Sequence, residues 1–170
     1  SLVLIGGNGT FTGGMYFGQE YDIPIMGLPG TIDNDLYGTD FTIGFDSATN
    51  VVVDAVDKIR DTAESHNRLF FVEVMGRDSG FIALHTGLAS GALDVVLPEE
   101  KQPLEDLFKE LQKGEDNHKT NKLIIVSEGN TLGSTMEIAE KVRQKFPHLE
   151  SKVTILGHLQ RGGSPTCADR

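Results

Sequence analysis

Two short stretches carry the residue types that could do chemistry. In Pro29-Gly30-Thr31-Ile32-Asp33-Asn34-Asp35 two carboxylates stand two residues apart, just beyond an apolar run. If the segment is extended, both point the same way, so that one can act as a base while the other helps hold a metal. An Asp/Asn-rich turn would have the same composition. The second stretch, Gly6-Gly7-Asn8-Gly9-Thr10, leaves another apolar run and leads through Phe11-Thr12-Gly13-Gly14 into an expected helix. Glycines there let backbone N–H groups approach an anion, and a helix N-terminus adds partial positive charge. A strand-to-helix turn also uses glycine for conformation alone. The loop fits neither the dinucleotide fingerprint nor GxxxxGK[ST].

The elements that must position these stretches follow from periodicity. Apolar runs give strands at Leu2 to Ile5, Ile23 to Leu28, Leu69 to Met75, Val95 to Leu97, Leu123 to Ser127 and Val153 to Leu156. Amphipathic stretches alternate with them, the pattern of a parallel sheet covered by helices. After Asp46, read as an N-cap, Ala48, Val52, Ala55, Val56, Ile59 and Ala63 share one helix face. Leu104, Leu107, Phe108 and Leu111 mark a second helix, expected to stop at Gly114. A third spans Thr135 to Phe146, with Ile138, Ala139, Val142 and Phe146 inward, and meets Pro147. Gly114 to Asn121 reads as a surface loop. The strand that begins at once and the glycine-rich turn at the other end suggest a piece of a longer chain.

Composition narrows the partners. Of 170 residues, 25 are acidic and 15 basic, for a net charge of −10. That balance offers no excess of cations to displace the counterions of a polyphosphate, so nucleic acid is not the expected partner. No apolar run is long enough to cross a bilayer, and the basic n-region of a signal peptide is missing, so a cytoplasmic location is expected. Cys167 is the single cysteine, without an internal partner and without metal-ligand spacing.

PGTIDNDLYGTDFTIGFDSA resembles the signature of the phosphofructokinase family, as do GGNGT, SHNR (Ser65 to Arg68), VEVMGR (Val72 to Arg77), SEG (Ser127 to Gly129) and LGHLQRGGSP (Leu156 to Pro165). The blocks stand in the family's order across nearly the whole chain. The resemblance implies a three-layer parallel-sheet α/β fold, with residues 1–44 part of an ATP-binding domain and 45–170 the fructose 6-phosphate domain. It implies a homotetrameric glycolytic kinase that passes the γ-phosphate of MgATP to the 1-hydroxyl of fructose 6-phosphate. By that resemblance Asp33 accepts the hydroxyl proton with Thr31 beside it, and Met75, Gly76, Arg77 and Glu128 line the sugar pocket. His158 and Arg161 hold the 6-phosphate, which Arg68 and Lys152 reach from a neighbouring subunit. Gly7, Asn8, Gly9 and Thr10 meet the ATP phosphates, and Asn8 and Asp35 hold Mg²⁺. Each of these residues alone also has a plain reading, Arg68 and Lys152 as surface charges and His158 as a core histidine.

Phosphoryl transfer needs alignment and charge cancellation more than covalent help, and on so acidic a chain a convergent cationic set would have to make a local positive pocket. Two departures from the family pattern stand out. Asn8 replaces the usual Asp, and a neutral amide holds a divalent cation less well. Lys152 stands where many members have Arg and loses the bidentate fork. Gly9 and Gly30 stand where pyrophosphate-dependent relatives carry Asp and Lys, which favours ATP as donor.

Three alternatives remain: a pyrophosphate-dependent enzyme, a non-catalytic sugar-phosphate-binding subunit motivated by Asn8, and an NAD or lipid kinase, against which TIDND and LGHLQRGGSP argue. The family's N-terminal segment is absent from these residues, so the isolated chain is expected to bind sugar phosphate weakly without turning it over. Arg60 matches an effector-binding position of bacterial members, although an Arg in the last turn of a helix is also expected from the macrodipole.

Overall fold

The computed structural model describes residues 1–66, 68–101, 103–117 and 122–170, with 61–66 described as helical backbone only. Asn67 and the side chains of Ala63, Ser65 and His66 therefore lie outside the described residues, as does the tail of the expected loop, 118–121.

All strand pairs are parallel, in two sheets. The first runs β1 (Leu2–Gly6), β2 (Ile25–Thr31) and β3 (Ile43–Gly44) in that order, with Val3 opposite Met26 and Ile5 opposite Leu28. Helix α1 (Asn8–Tyr21) links β1 to β2 and covers one face, where a Cβ on Gly14 would come within 2.2 Å of Leu4. The opposite face carries Val3, Ile5, Met26 and Leu28, all exposed.

The second sheet orders its strands β5 (Asp94–Val96), β6 (Leu123–Ser127), β4 (Leu69–Val74) and β7 (Ser151–Ile155). Side chains of a strand alternate between faces, and β4 divides accordingly. Phe70, Val72 and Val74 join Phe45, Val52 and Val56 of α2 (Phe45–His66) and Ile82 and Ala83 of α3 (Phe81–Ser90). Leu69 and Phe71 join Leu107 and Leu111 of α4 (Leu104–Asp116) and Ile138 and Val142 of α5 (Thr135–Lys145). Helix, sheet and helix make the expected three layers, and near-continuous apolar strands are what a sheet buried on both faces requires.

Several boundaries differ from the sequence reading. Helix α1 begins at Asn8, so Asn8 to Thr10 form its first turn rather than a preceding loop. Asp46 lies inside the first turn of α2; the residue that caps this helix is Asp169, whose carboxylate accepts the N–H groups of Gly44 and Ser47, each at 2.8 Å, and the Ser47 hydroxyl. Burial works upward on Asp169, but the bonds from Ser47 and Gly44 together hold its carboxyl below the usual range. Arg60 is not in a last turn, because α2 continues to His66; its guanidinium donates to the carbonyl of Ser90. Helix α4 runs past Gly114 to Asp116, and Gly114 serves packing instead, since a Cβ there would sit 3.0 Å from Leu93. The capping box of α5, Ser134 with Glu137, is complete.

Candidate active-site cleft

Ligands of open α/β sheets gather beyond the carboxyl ends of the strands. Here an open cleft of about 510 Å³ lies there, where the segments after β1, β2 and β4 meet. One end is the first turn of α1: Gly7, Asn8, Gly9 and Thr10. Gly7 occupies the N-cap position and supplies no side-chain acceptor, so the first-turn amides keep their donors for a ligand. The middle holds Thr31, Asp33, Asp35 and Arg77, and Met75 and Arg161 line the other side.

Asp33 and Asp35 share the cleft by a route other than an extended strand. Asn34 between them has φ +52°. Its buried side chain accepts the N–H of Thr42 at 2.8 Å and donates to the carbonyl of Asp40 at 3.1 Å. Asparagine tolerates the left-handed region better than most residues, so the middle residue of the triplet is a backbone bracket. The Thr31 hydroxyl accepts the N–H of Asp33 at 3.2 Å, a local turn contact beside the carboxylate.

The Asp33 side chain is only 13 % exposed, and the Arg77 guanidinium, 80 % exposed, stands 3.8 Å away. Burial pushes the Asp33 carboxyl above its usual range, as do the charges of Asp35 and Glu128, while Arg77 and Arg161 pull it down. A carboxylate with raised affinity for a proton, facing a cation across open space, suits a base that must accept one from an incoming hydroxyl.

Arg77 sits in a turn that its neighbours over-determine. It has φ +52° and Gly76 φ +143°, and a Cβ on Gly76 would strike the Ser79 carbonyl at 2.3 Å. Left-handed backbone at a non-glycine residue costs about 1–3 kcal/mol and persists where surroundings enforce it. Glu128 accepts the N–H groups of Gly76 and Arg77 at 3.2 and 2.9 Å. Gly129 comes so close that a Cβ would stand 1.8 Å from the Arg77 carbonyl. Ser79 donates from its hydroxyl to the main-chain carbonyl of Asp33 at 2.8 Å, tying the two segments together.

The sequence-derived set thus divides. The cleft gathers Gly7, Asn8, Gly9, Thr10, Thr31, Asp33, Asp35, Met75, Arg77 and Arg161. Gly76 and Glu128 act within the turn that carries Arg77. His158 is exposed in the 3-10 helix Gly157–Arg161, which removes its reading as a core histidine. Arg68 and Lys152 stand apart from the cleft, both on Glu150 at 2.7 Å. Hydrogen bonds from Lys152 and Arg68 bring the Glu150 carboxyl down to about 2. Ser79 and Gln160 are absent from the residues the sequence singled out; Gln160 lies inside LGHLQRGGSP between Leu159 and Arg161, and its place in that block was the available signal.

A divalent cation fits this donor set only in company. The Asn8 amide nitrogen lies 3.2 Å from an Asp35 oxygen, and among the described residues no group of three His, Cys, Asp or Glu could hold a metal. One carboxylate and one amide match magnesium, which keeps waters and takes the rest of its shell from substrate phosphates.

Fold and cleft together define a three-layer parallel α/β protein with an open cleft lined by a helix N-terminus and a carboxylate–arginine pair. Comparison with known proteins narrows this: all 170 residues match the phosphofructokinase family, and the chain belongs to it. It is 55 % identical over 170 residues to the ATP-dependent 6-phosphofructokinase 2 of Bacteroides thetaiotaomicron, covering 100 % of this chain and 52 % of that protein. It is 51 % identical over 169 residues to the ATP-dependent 6-phosphofructokinase of Cytophaga hutchinsonii, covering 99 % of this chain and 52 % of that protein. The solved phosphofructokinase of Saccharomyces cerevisiae superposes with a TM-score of 0.89 at 36 % identity, over 99 % of this chain and 26 % of that one. The chain spans about half the length of the curated relatives it matches.

Proposed function

We propose that the whole protein transfers the γ-phosphate of ATP to the 1-hydroxyl of fructose 6-phosphate, giving fructose 1,6-bisphosphate, as a cytoplasmic homotetramer. The observation that carries this reading is the buried Asp33 carboxylate facing Arg77 in a cleft that also holds the uncapped start of α1 and Arg161. Asp33 accepts the proton as the sugar oxygen attacks, and Thr31 stands beside it. Arg77 cancels charge on the moving phosphoryl group, and the amides from Gly7 to Thr10 cradle the donor's phosphates. Arg161 and His158 anchor the 6-phosphate, with Arg68 and Lys152 supplied by a neighbouring subunit; Met75, Gly76 and Glu128 shape the sugar pocket. Asp35 and the Asn8 amide oxygen would hold a magnesium ion, which when bound neutralises phosphate charge. Residues 1–44 carry the nucleotide side and 45–170 the sugar-phosphate side, a division that coincides with the two sheets.

ATP as donor is supported by the open space at Gly9, while Gly30 is a glycine required by packing. A Cβ on Gly9 would meet nothing within 4 Å, and Gly30 approaches Ile5 so closely that a Cβ would sit 3.0 Å from it. Relatives named as ATP-dependent share about half of the residues. The test is phosphorylation of fructose 6-phosphate by the full-length protein with ATP and pyrophosphate compared as donors. Turnover with ATP is expected; turnover with pyrophosphate alone, or with neither, overturns the reading.

A further inference from the structure

Among the described residues, Gln160 is the one polar member of the largest completely buried side chains, 1 % exposed; the others are phenylalanines, leucines, isoleucines and valines. A buried amide costs free energy unless its bonds are made, and here both ends are used. Its carbonyl oxygen accepts the N–H of Met75 at 3.1 Å, and its NH₂ donates to the carbonyl of Gly157 at 2.9 Å. Strand β4 ends at Val74, so the Met75 amide is the first with no ladder partner. The next two amides, Gly76 and Arg77, go to Glu128. Three consecutive donors of the Arg77 turn are therefore fixed by two side chains from elsewhere in the chain.

Gln160 adjoins Arg161 in the same 3-10 helix, which its own NH₂ braces through Gly157. The amide is thus a strut of fixed length between the backbone that carries Arg161 and the backbone that carries Arg77, cations on the far side and in the middle of one cleft. We propose that Gln160 is a positioning residue, setting Arg77 against Asp33 relative to a substrate phosphate anchored at Arg161. The inference rests on the kinase reading above and adds to it a residue that never touches substrate. Removing the strut leaves Arg161 on its helix, so ground-state anchoring survives, while Arg77 loses the geometry needed when charge moves.

The experiment compares full-length wild type with Gln160→Met, which keeps volume and removes both bonds, and Gln160→Glu. Burial favours the protonated form of that glutamate, which can both accept and donate. In MgATP and fructose 6-phosphate kinetics, Gln160→Met is expected to lose at least about tenfold in kcat with KM for the sugar phosphate changed less than about threefold, and Gln160→Glu to recover at least threefold of that loss. A kcat within twofold of wild type, or a loss confined to KM, overturns the proposal. Hydrogen–deuterium exchange at Met75 to Arg77 gives a second readout: about tenfold faster exchange confined to these amides in Gln160→Met supports it, and unchanged exchange in that variant overturns it. If wild type proves inert, the kinase reading fails and exchange alone decides the strut. If Gln160→Met does not fold, Gln160→Leu takes its place in both measurements, with Gln160→Glu kept as the rescue.

Discussion

The two sheets of this chain are built on opposite terms. The second encloses itself: β6 is buried throughout and β4 nearly so, with helices on both faces. The first is covered on one side only, and Ile5, 68 % exposed, stands with Val3 and Met26 on a bare face. Yet the first contributes the helix start, Thr31, Asp33 and Asp35, while the second contributes Arg77 through the turn after β4. The candidate site thus gathers where a thin layer meets a thick one, and each side holds a left-handed residue, Asn34 on the thin side and Arg77 on the thick one.

Substitutions can break or sharpen this contrast. The largest effect is expected from Asp33→Asn in the full-length protein: a loss of about 10²–10⁴ in kcat with the melting temperature unchanged, read by a coupled assay beside a thermal scan. A melting temperature that falls with activity would make Asp33 structural. Next comes stability. Ile125→Ala in the second sheet, at 0 % exposure, should cost about 2–5 kcal/mol in urea unfolding of this 170-residue chain. Ile5→Ala on the bare face should cost less than about 0.5 kcal/mol. Equal costs would dissolve the contrast.

Asp169→Asn acts where the sheets join and should cost about 0.5–2 kcal/mol. Because the native carboxyl is held below its usual value, its contribution is complete above the unfolded carboxylate pKa, about 4, and fades as pH falls through the lower folded value. Wild type and variant should therefore differ most at neutral pH and converge in acid; a gap that widens in acid refutes the clamp. The smallest effect is expected from Asn8→Asp, which puts a second carboxylate beside Asp35 and should lower the Mg²⁺ needed for half-maximal rate a few-fold. If wild type turns over and this change adds little, the non-catalytic reading motivated by Asn8 fails.

Every strand but β3 was legible, because apolar runs mark parallel strands, whereas Ile43–Gly44 is too short to make a run. Helix α3 was not, since FIALHTGLAS is apolar almost all round and shows no clear stripe; its capping carboxylate, Glu99 on the Gly80 amide, comes from beyond β5. The cap of α2 was misplaced for a similar reason: Asp46 sits where a local cap would be, whereas Asp169 reaches Ser47 across 122 residues. In the site, carboxylates and glycines announced themselves by type and spacing. Gln160 and Ser79 did not, because what each holds lies 85 and 46 residues away.

The Asp169 clamp also bears on how the chain is made. Translation delivers residue 169 long after Ser47 has left the ribosome, so α2 must first form with its leading amides bare. The span from Gly44 to Ser47, where one sheet hands over to the other, is latched only when that late aspartate arrives. A ribosome stalled shortly before it would leave a nascent chain in which the Gly44 and Ser47 amides still lack their acceptor, and Ser79 on Asp33 remains to join the two halves.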